Sequence, residues 1–281
     1  MKRIRALLGA GARALGDPLV EGVWRERPVP DACCGVPTML MSDELRLLEY
    51  LTEHSYRGDG AIVDAGCFLG GSTLALASGL HKNLLRRQQP AMKQIHSFDL
   101  FEVEEWTRGI YFPRETPAGT GTREMFEHNI ARYAAFVEIH EGDITATRWC
   151  GAPIEILFID VAKHWSVCDW ISANLFPHLI PGRSIVVQQD YLYHHWNGWL
   201  HVTMEHFADA FEPLCNTGDN SVAFRLVRPF APGQITEHIV ADMPIERKIA
   251  LMDRAAERFS GAQADLLRAA KAHFLEMLVD D

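Results

Sequence analysis

No stretch of this chain keeps an apolar run long enough to span a bilayer, no CxxC pair occurs, and basic residues are outnumbered by acidic ones. Each absence removes a class of function. Without a long apolar run there is no candidate membrane span, and no stable membrane insertion is expected. The formal net charge of -10 excludes a nucleic-acid backbone as the main partner, because phosphate contacts require clustered Lys and Arg. The six cysteines show no framework spacing: Cys33 and Cys34 are adjacent, and Cys67, Cys150, Cys168 and Cys215 are scattered. They read as reduced thiols of a cytoplasmic protein rather than disulfides or a zinc site. The dinucleotide pattern G-x-G-x-x-G is also missing from the one glycine turn that could carry it, since Phe68 stands two residues after Gly66.

That turn is the most informative feature present. The run from Ala61 to Thr73 reads as a buried strand, a glycine-rich turn and a helix start in succession. Gly66 and Gly70 lack a Cβ, so the chain can turn tightly and let a ligand lie against the main chain. Ser72 or Thr73 is expected to cap the helix that follows. A pyrophosphate needs the second glycine for close approach, whereas S-adenosylmethionine has no phosphate and asks for room beside its methionine and adenosine parts. The spacing favours the methyl donor, with Asp64, Gly66, Gly70 and Ser72 as candidate cofactor-binding residues.

At 281 residues and 48% hydrophobic, the chain is expected to form one core. The start, Met1 to Leu8, is basic and then apolar, but Arg13 and Asp17 interrupt it before it reaches the length of a signal-peptide core; it reads as a short amphipathic helix packed on its own domain. Residues 18–38 read as an irregular connection, and Ser42-Asp43-Glu44 as the cap of a helix with Leu45, Leu47, Leu48 and Leu51 on its apolar face. From Ala61 strands and helices alternate: strands at 94–99, 137–140, 154–160 and 184–188, helices from 72 to about 87, 123 to 135 and 167 to 179. This predicts a doubly wound, mostly parallel seven-stranded α/β sheet, closed by an antiparallel β-hairpin at 211–227. The expected organisation is an N-terminal helix and irregular lid over 1–44, an α/β domain over 45–228 and a helical extension over 229–281. The helical run from Ile245 to Leu278 is expected either to cap the domain or to pair with another subunit as a homo-oligomer. The long stretch 101–122, with Trp106, Tyr111 and Phe112, reads as a functional loop.

In open α/β sheets ligands bind beyond the carboxyl ends of the strands. Those ends carry Asp64, Asp99, Asp143 and Asp160. Asp99, one strand after the glycine turn, is placed to accept both hydroxyls of a ribose, and Asp143 to approach an adenine. His194 and His195 are expected to face the same pocket with Tyr191 and Trp196, and imidazole titrates near neutrality.

The strand-turn from Asp64 to Thr73, Asp99, Gly142-Asp143, Asp160 and the terminal hairpin together resemble the class I S-adenosylmethionine-dependent methyltransferase family over about residues 45–228. Phe158-Ile159-Asp160, Pro181-Gly182, Gln188-Gln189-Asp190-Tyr191, Gly198 and Glu205-His206-Phe207 are most similar to the macrocin and catechol O-methyltransferase types. The resemblance implies a Rossmann-like methyltransferase fold, S-adenosyl-L-methionine as cofactor and a hydroxylated small molecule as acceptor. It also implies Mg²⁺ held by Asp160, Gln189 and Asp190, although Gln189 departs from the carboxylate usual there, and it places Lys163 where catechol-type enzymes carry a base. A base role would require the lysine's pKa to fall. Two other readings stay open: a non-catalytic member that keeps the fold for binding, and a nicotinamide-dependent oxidoreductase.

Overall fold

The structure, a computed structural model, describes residues 17–89, 93–231, 233–236 and 239–280. The helix expected over Met1–Leu8 lies outside the described residues. Seven strands, β1 (Ala61–Ala65), β2 (Ile95–Asp99), β3 (Val137–Glu141), β4 (Ile154–Ile159), β5 (Ile185–Gln188), β6 (Phe211–Asn216) and β7 (Val222–Leu226), form one sheet in the order β3-β2-β1-β4-β5-β7-β6. The first five run parallel; β7 pairs antiparallel with β5, and β6 with β7. This is the Rossmann-like, doubly wound arrangement that the alternation predicts. The order reverses between β1 and β4, so the ends of these two strands define the crevice where such sheets bind ligands.

The parallel strands are apolar on both faces because helices cover both. One face packs α1 (Ser42–Tyr50), α2 (Gly71–Arg87) and α3 (Arg123–Ile130) through Leu48, Leu76, Phe126 and their neighbours; the other packs α4 (Trp165–Asn174) and α5 (Gly198–His206) through Ile171, Leu200 and Met204. Helices α6 (Ile245–Glu257) and α7 (Gly261–Asp280) share that second core, contributing Leu251, Met252, Ala255, Leu267 and Ala270.

Several boundaries differ from the sequence reading. Ser42 lies inside α1; Met41 is the cap, and Glu44 reaches back to accept its N–H at 2.8 Å. Neither Ser72 nor Thr73 caps α2: Gly70 does, in a left-handed conformation with φ 102°, and both hydroxyls turn inward to Asp64. Helix α3 stops at Ile130 and continues as a 3-10 turn to Phe136, and α4 gives way to a 3-10 turn at Phe176–His178, where Pro177 can donate no backbone hydrogen bond. The run expected from 245 to 278 is two helices, separated where Gly261 takes φ 58°.

Two buried carboxylates tie the layers together. Glu155, inside β4, accepts the N–H groups of Arg57, Gly58 and Asp59 at 2.7, 2.9 and 2.8 Å, fixing the turn into β1. Asp169, on α4, accepts those of Ile239, Val240 and Ala241 at 3.0, 2.6 and 3.0 Å, fixing the segment that leads to α6.

His201 on α5 is fully buried, with Nε2 2.8 Å from the Tyr191 carbonyl, so the neutral ring donates from Nε2. Burial pushes its pKa down to about 4, against the opposing pull of that hydrogen bond. The unfolded imidazole titrates at about 6.5. The unfolded chain therefore takes up the proton first, and the stability lost appears as pH falls from about 6.5 towards 4. The stability advantage of the native protein over His201→Leu should be smaller by about 2 kcal/mol at about pH 5 than at about pH 7.5. Urea unfolding of both proteins at the two pH values measures this, and parallel pH profiles would refute it.

Candidate functional site

Beyond β1 the chain makes three left-handed excursions in five residues: Gly66 (φ 96°), Phe68 (φ 47°) and Gly70 (φ 102°). Only the glycines do so without strain. A Cβ on Gly66 would stand 3.0 Å from the Asp160 carbonyl carbon and 3.0 Å from Val161 Cγ1, so the turn is wedged against the end of β4. Gly66→Ala should cost about 2 kcal/mol or more through its left-handed φ alone and displace Asp160, read as a lowered melting temperature.

Asp64 lies beneath this turn, fully buried, and accepts from Ser72 Oγ at 3.1 Å and from Thr73 Oγ1, while its Oδ1 has no partner. Burial pushes its carboxyl up to about 6, although the two hydroxyls pull the other way. Ser72 is 3% exposed and engaged with Asp64, so it shapes the helix start; it does not face the crevice expected for it.

Asp99 closes β2 and faces the same turn. Its Oδ2 accepts the Phe68 N–H at 2.7 Å and its Oδ1 the Phe101 N–H at 2.9 Å. Burial raises its pKa above the ordinary carboxylate value, partly offset by these backbone donors. Each oxygen keeps a second lone pair. Phe68 and Phe101 (φ 54°) are both left-handed, so one carboxylate holds two strained residues. The loop expected at 101–122 folds back here: Tyr111 and Phe112 meet the Phe68 ring edge-on, centroids 5.2 and 6.0 Å away. From the opposite side the N-terminal segment closes in. A Cβ on Gly71 would collide with Thr38 at 2.3 Å, so the start of α2 and residues near Thr38 fit only with glycine there. Asp143 is exposed at the end of the adjoining strand and caps a 3-10 turn, accepting from Thr145 N and Oγ1 at 2.8 Å each.

The ends of β4 and β5 bring Asp160, Lys163, Gln189 and Asp190 together. Lys163 Nζ lies 2.7 Å from Asp160 Oδ1 and 2.9 Å from Gln189 Oε1, and also donates to Asp190 Oδ2. Burial pushes Asp160 up to about 7, with Lys163 opposing and Asp190 adding to the rise. For Lys163, burial acts to lower the pKa, but the Asp160 and Asp190 charges outweigh it and hold the ammonium above its ordinary value. The lysine is therefore a protonated cation, not the free base the resemblance implies. The oxygens of the trio expected to hold Mg²⁺, Asp160 Oδ1, Gln189 Oε1 and Asp190 Oδ2, converge on this ammonium. Glu44, which the sequence marked only as part of a helix cap, is 1% exposed and accepts from Ser221 Oγ; burial raises its own pKa, and its charge adds to the rise of Asp160. Nothing in its local sequence could reveal that.

The cluster after β5 divides. Tyr191 and Leu192 are buried in the core, Tyr191 against His201 and Phe224, so Tyr191 does not join the pocket expected for it. His194 stacks on Trp196 (4.1 Å) and His195 meets His273 of α7 (5.1 Å). Trp196 and His273 in turn line a cavity of about 290 Å³ with Trp165, Trp199, Lys248 and Phe274. Trp199 Nε1 donates to the Ala162 carbonyl at 2.7 Å, which sets this apolar cavity beside the Asp160–Lys163 turn.

No protein-family model and no curated protein matches the chain. Solved structures do resemble it: cofactor-bound Rv0187 from MTB (16% identity, 79% of this chain and 92% of that one, TM-score 0.45); CalS11, a TDP-rhamnose 3'-O-methyltransferase of calicheamicin biosynthesis (17%, 73% and 90%, 0.46); and the SAH-bound Podospora anserina methyltransferase PaMTH1 (16%, 76% and 89%, 0.43). The chain's own topology and site define a doubly wound α/β protein with a carboxylate-rimmed glycine turn at its switch point. Among the described residues no helix is long and apolar enough to cross a membrane.

Proposed function

We propose that this chain is an S-adenosylmethionine-dependent methyltransferase that methylates a hydroxyl of a small molecule in the cytoplasm. The observation that carries the reading is Asp99, whose two oxygens flank the glycine turn between β1 and α2 at the sheet's switch point. The residues fit the cofactor: a ribose diol donates to a carboxylate, the positive-φ turn offers bare main chain for the methionine part, and the absence of the second, close-approach glycine, where Phe68 stands, is no handicap without a pyrophosphate. Gly66 and Gly70 shape that surface, Asp64 braces it from below through Ser72, and Asp143 stands on the adenine side. Bound there, the cofactor supplies an electrophilic methyl group.

The chain's residues position the acceptor. The acceptor oxygen forms the new O–CH3 bond as the C–S bond breaks, S-adenosylhomocysteine leaves, and the hydroxyl proton passes to a group of the protein. Lys163 is already protonated and orients; the Asp160 and Asp190 carboxylates are the adjacent proton acceptors, with His194 and His195 the further candidates on the cavity side. The aromatic wall of that cavity, Trp165, Trp199 and Phe274, favours an acceptor with an apolar or ring-shaped body over a strongly charged one. Calorimetric titration with S-adenosylmethionine and S-adenosylhomocysteine tests the reading. Micromolar binding of either supports it; no heat with either, with or without EDTA, overturns it.

A further inference from the structure

A hydroxyl is a poor nucleophile until a cation stabilises its developing negative charge, and the resemblance assigns that task to Mg²⁺ on Asp160, Gln189 and Asp190. The geometry points to a different solution. We propose that Lys163 is the built-in cation of this site, that its ammonium takes the place of the divalent ion, and that the native protein does not bind one there.

An ammonium has three protons, and Lys163 directs them to three acceptors: Asp160 Oδ1 at 2.7 Å, Gln189 Oε1 at 2.9 Å and Asp190 Oδ2. The three oxygens come from two neighbouring strand ends, β4 and β5, and converge because each is aimed. Lys163 is turned back towards Asp160 by a tight bend in which its N–H donates to the Val161 carbonyl at 2.8 Å. Asp190 follows β5 in a left-handed conformation, φ 60°, which swings its carboxylate over the strand end. Gln189 is oriented by its own amide: Nε2 donates to Asp190 Oδ1, which leaves Oε1 as the face towards Lys163.

The departure at Gln189 then has a physical reason. Hard divalent ions are held best where several carboxylates offset their double charge. Here the two carboxylates and the amide already face the ammonium of Lys163, whose single charge the two carboxylates match with charge to spare. The amide adds what a carboxylate could not: a donor that locks Asp190 while accepting from Lys163.

The cation role rests on the side-chain geometry alone, while its use in methyl transfer rests on the functional reading above, so the test is one of metal binding without cofactor or acceptor. Mn²⁺ is titrated into the full-length protein and free Mn²⁺ is followed by electron paramagnetic resonance. At Asp160–Asp190 the native protein should show no site tighter than the millimolar range; binding unaffected by Asp160→Asn belongs to the separate His96, Glu138 and His140 cluster, whose ligand atoms lie within 4.8 Å of one another. Lys163→Ala should gain one, binding at least about tenfold more tightly than the native protein, because removing the ammonium leaves two carboxylates around an open position. The gain should vanish in Lys163→Ala combined with Asp160→Asn. Lys163→Ser provides the same reading if the alanine variant fails to fold by circular dichroism. Micromolar Mn²⁺ binding by the native protein that is lost in Asp160→Asn would overturn the proposal, and so would a Lys163 variant, folded, that binds no more Mn²⁺ than the native chain. Failure of the methyltransferase reading would show elsewhere, as absence of S-adenosylmethionine binding.

Discussion

Replacing Asp99 by alanine should weaken S-adenosylmethionine binding by about two orders of magnitude or more, since hydrogen bonds to a charged group contribute about 1.5–3 kcal/mol each and two are lost. The same carboxylate also secures the Phe68 and Phe101 N–H groups, both on left-handed residues. The variant should therefore be less stable as well, by about 2–3 kcal/mol, as two donors lose their partner and two strained conformations lose their restraint. The two effects separate if cofactor affinity is measured by calorimetry well below the variant's melting temperature. An unchanged Kd would remove Asp99 from the cofactor site; an unchanged melting temperature would leave the binding role and remove the bracing one.

Asp169→Ala should be the most damaging single change to the extension. The carboxylate is 2% exposed and accepts three consecutive N–H groups, from Ile239, Val240 and Ala241. Its removal strands two buried donors and one half-buried donor at once, a loss of about 3–5 kcal/mol by analogy with breaking other buried charged networks. Since α6 and α7 pack on the core through Leu251, Met252 and Leu267, the damage should spread beyond the three donors. Hydrogen exchange reads it directly: amides of 239–241 and of α6 should exchange much faster, while those of β1 and β2, on the far side of the switch point, should change least. Equal acceleration across the sheet would show that Asp169 supports the whole fold and not the extension in particular.

Both predictions concern carboxylates, yet the sequence treated them differently. Asp99 was legible because it ends a strand one crossover after the glycine turn, a position defined by local pattern. Asp169 was not, because it sits mid-helix in a run of ordinary composition and its partners are some seventy residues away. The same division runs through the site. Gly66 and Gly70 announced themselves by spacing; Phe68, the third left-handed residue of that turn, did not, since nothing in a phenylalanine signals a positive φ. Ser72 looked like a cap and became a brace for Asp64, because Gly70 in a left-handed conformation already ends the turn. Tyr191 and His195 are near neighbours in sequence but part company in space, one into the core and the other towards α7.

What the sequence determined by itself was periodic or local: the alternation of apolar strands and amphipathic helices that makes a doubly wound sheet, the hairpin that closes it, and the strand ends where carboxylates collect. These follow from the burial of one face or both by short segments, which a dozen residues suffice to encode. Only the tertiary structure decided what those carboxylates meet. The charge state of Lys163 depends on Asp160 and Asp190, which arrive from different strands, and its fit to three oxygens depends on the left-handed turn at Asp190 and the amide of Gln189. Electrostatic fields and donor geometry at the end of a sheet sum over residues far apart in the chain, and that sum exists only once the strands are paired.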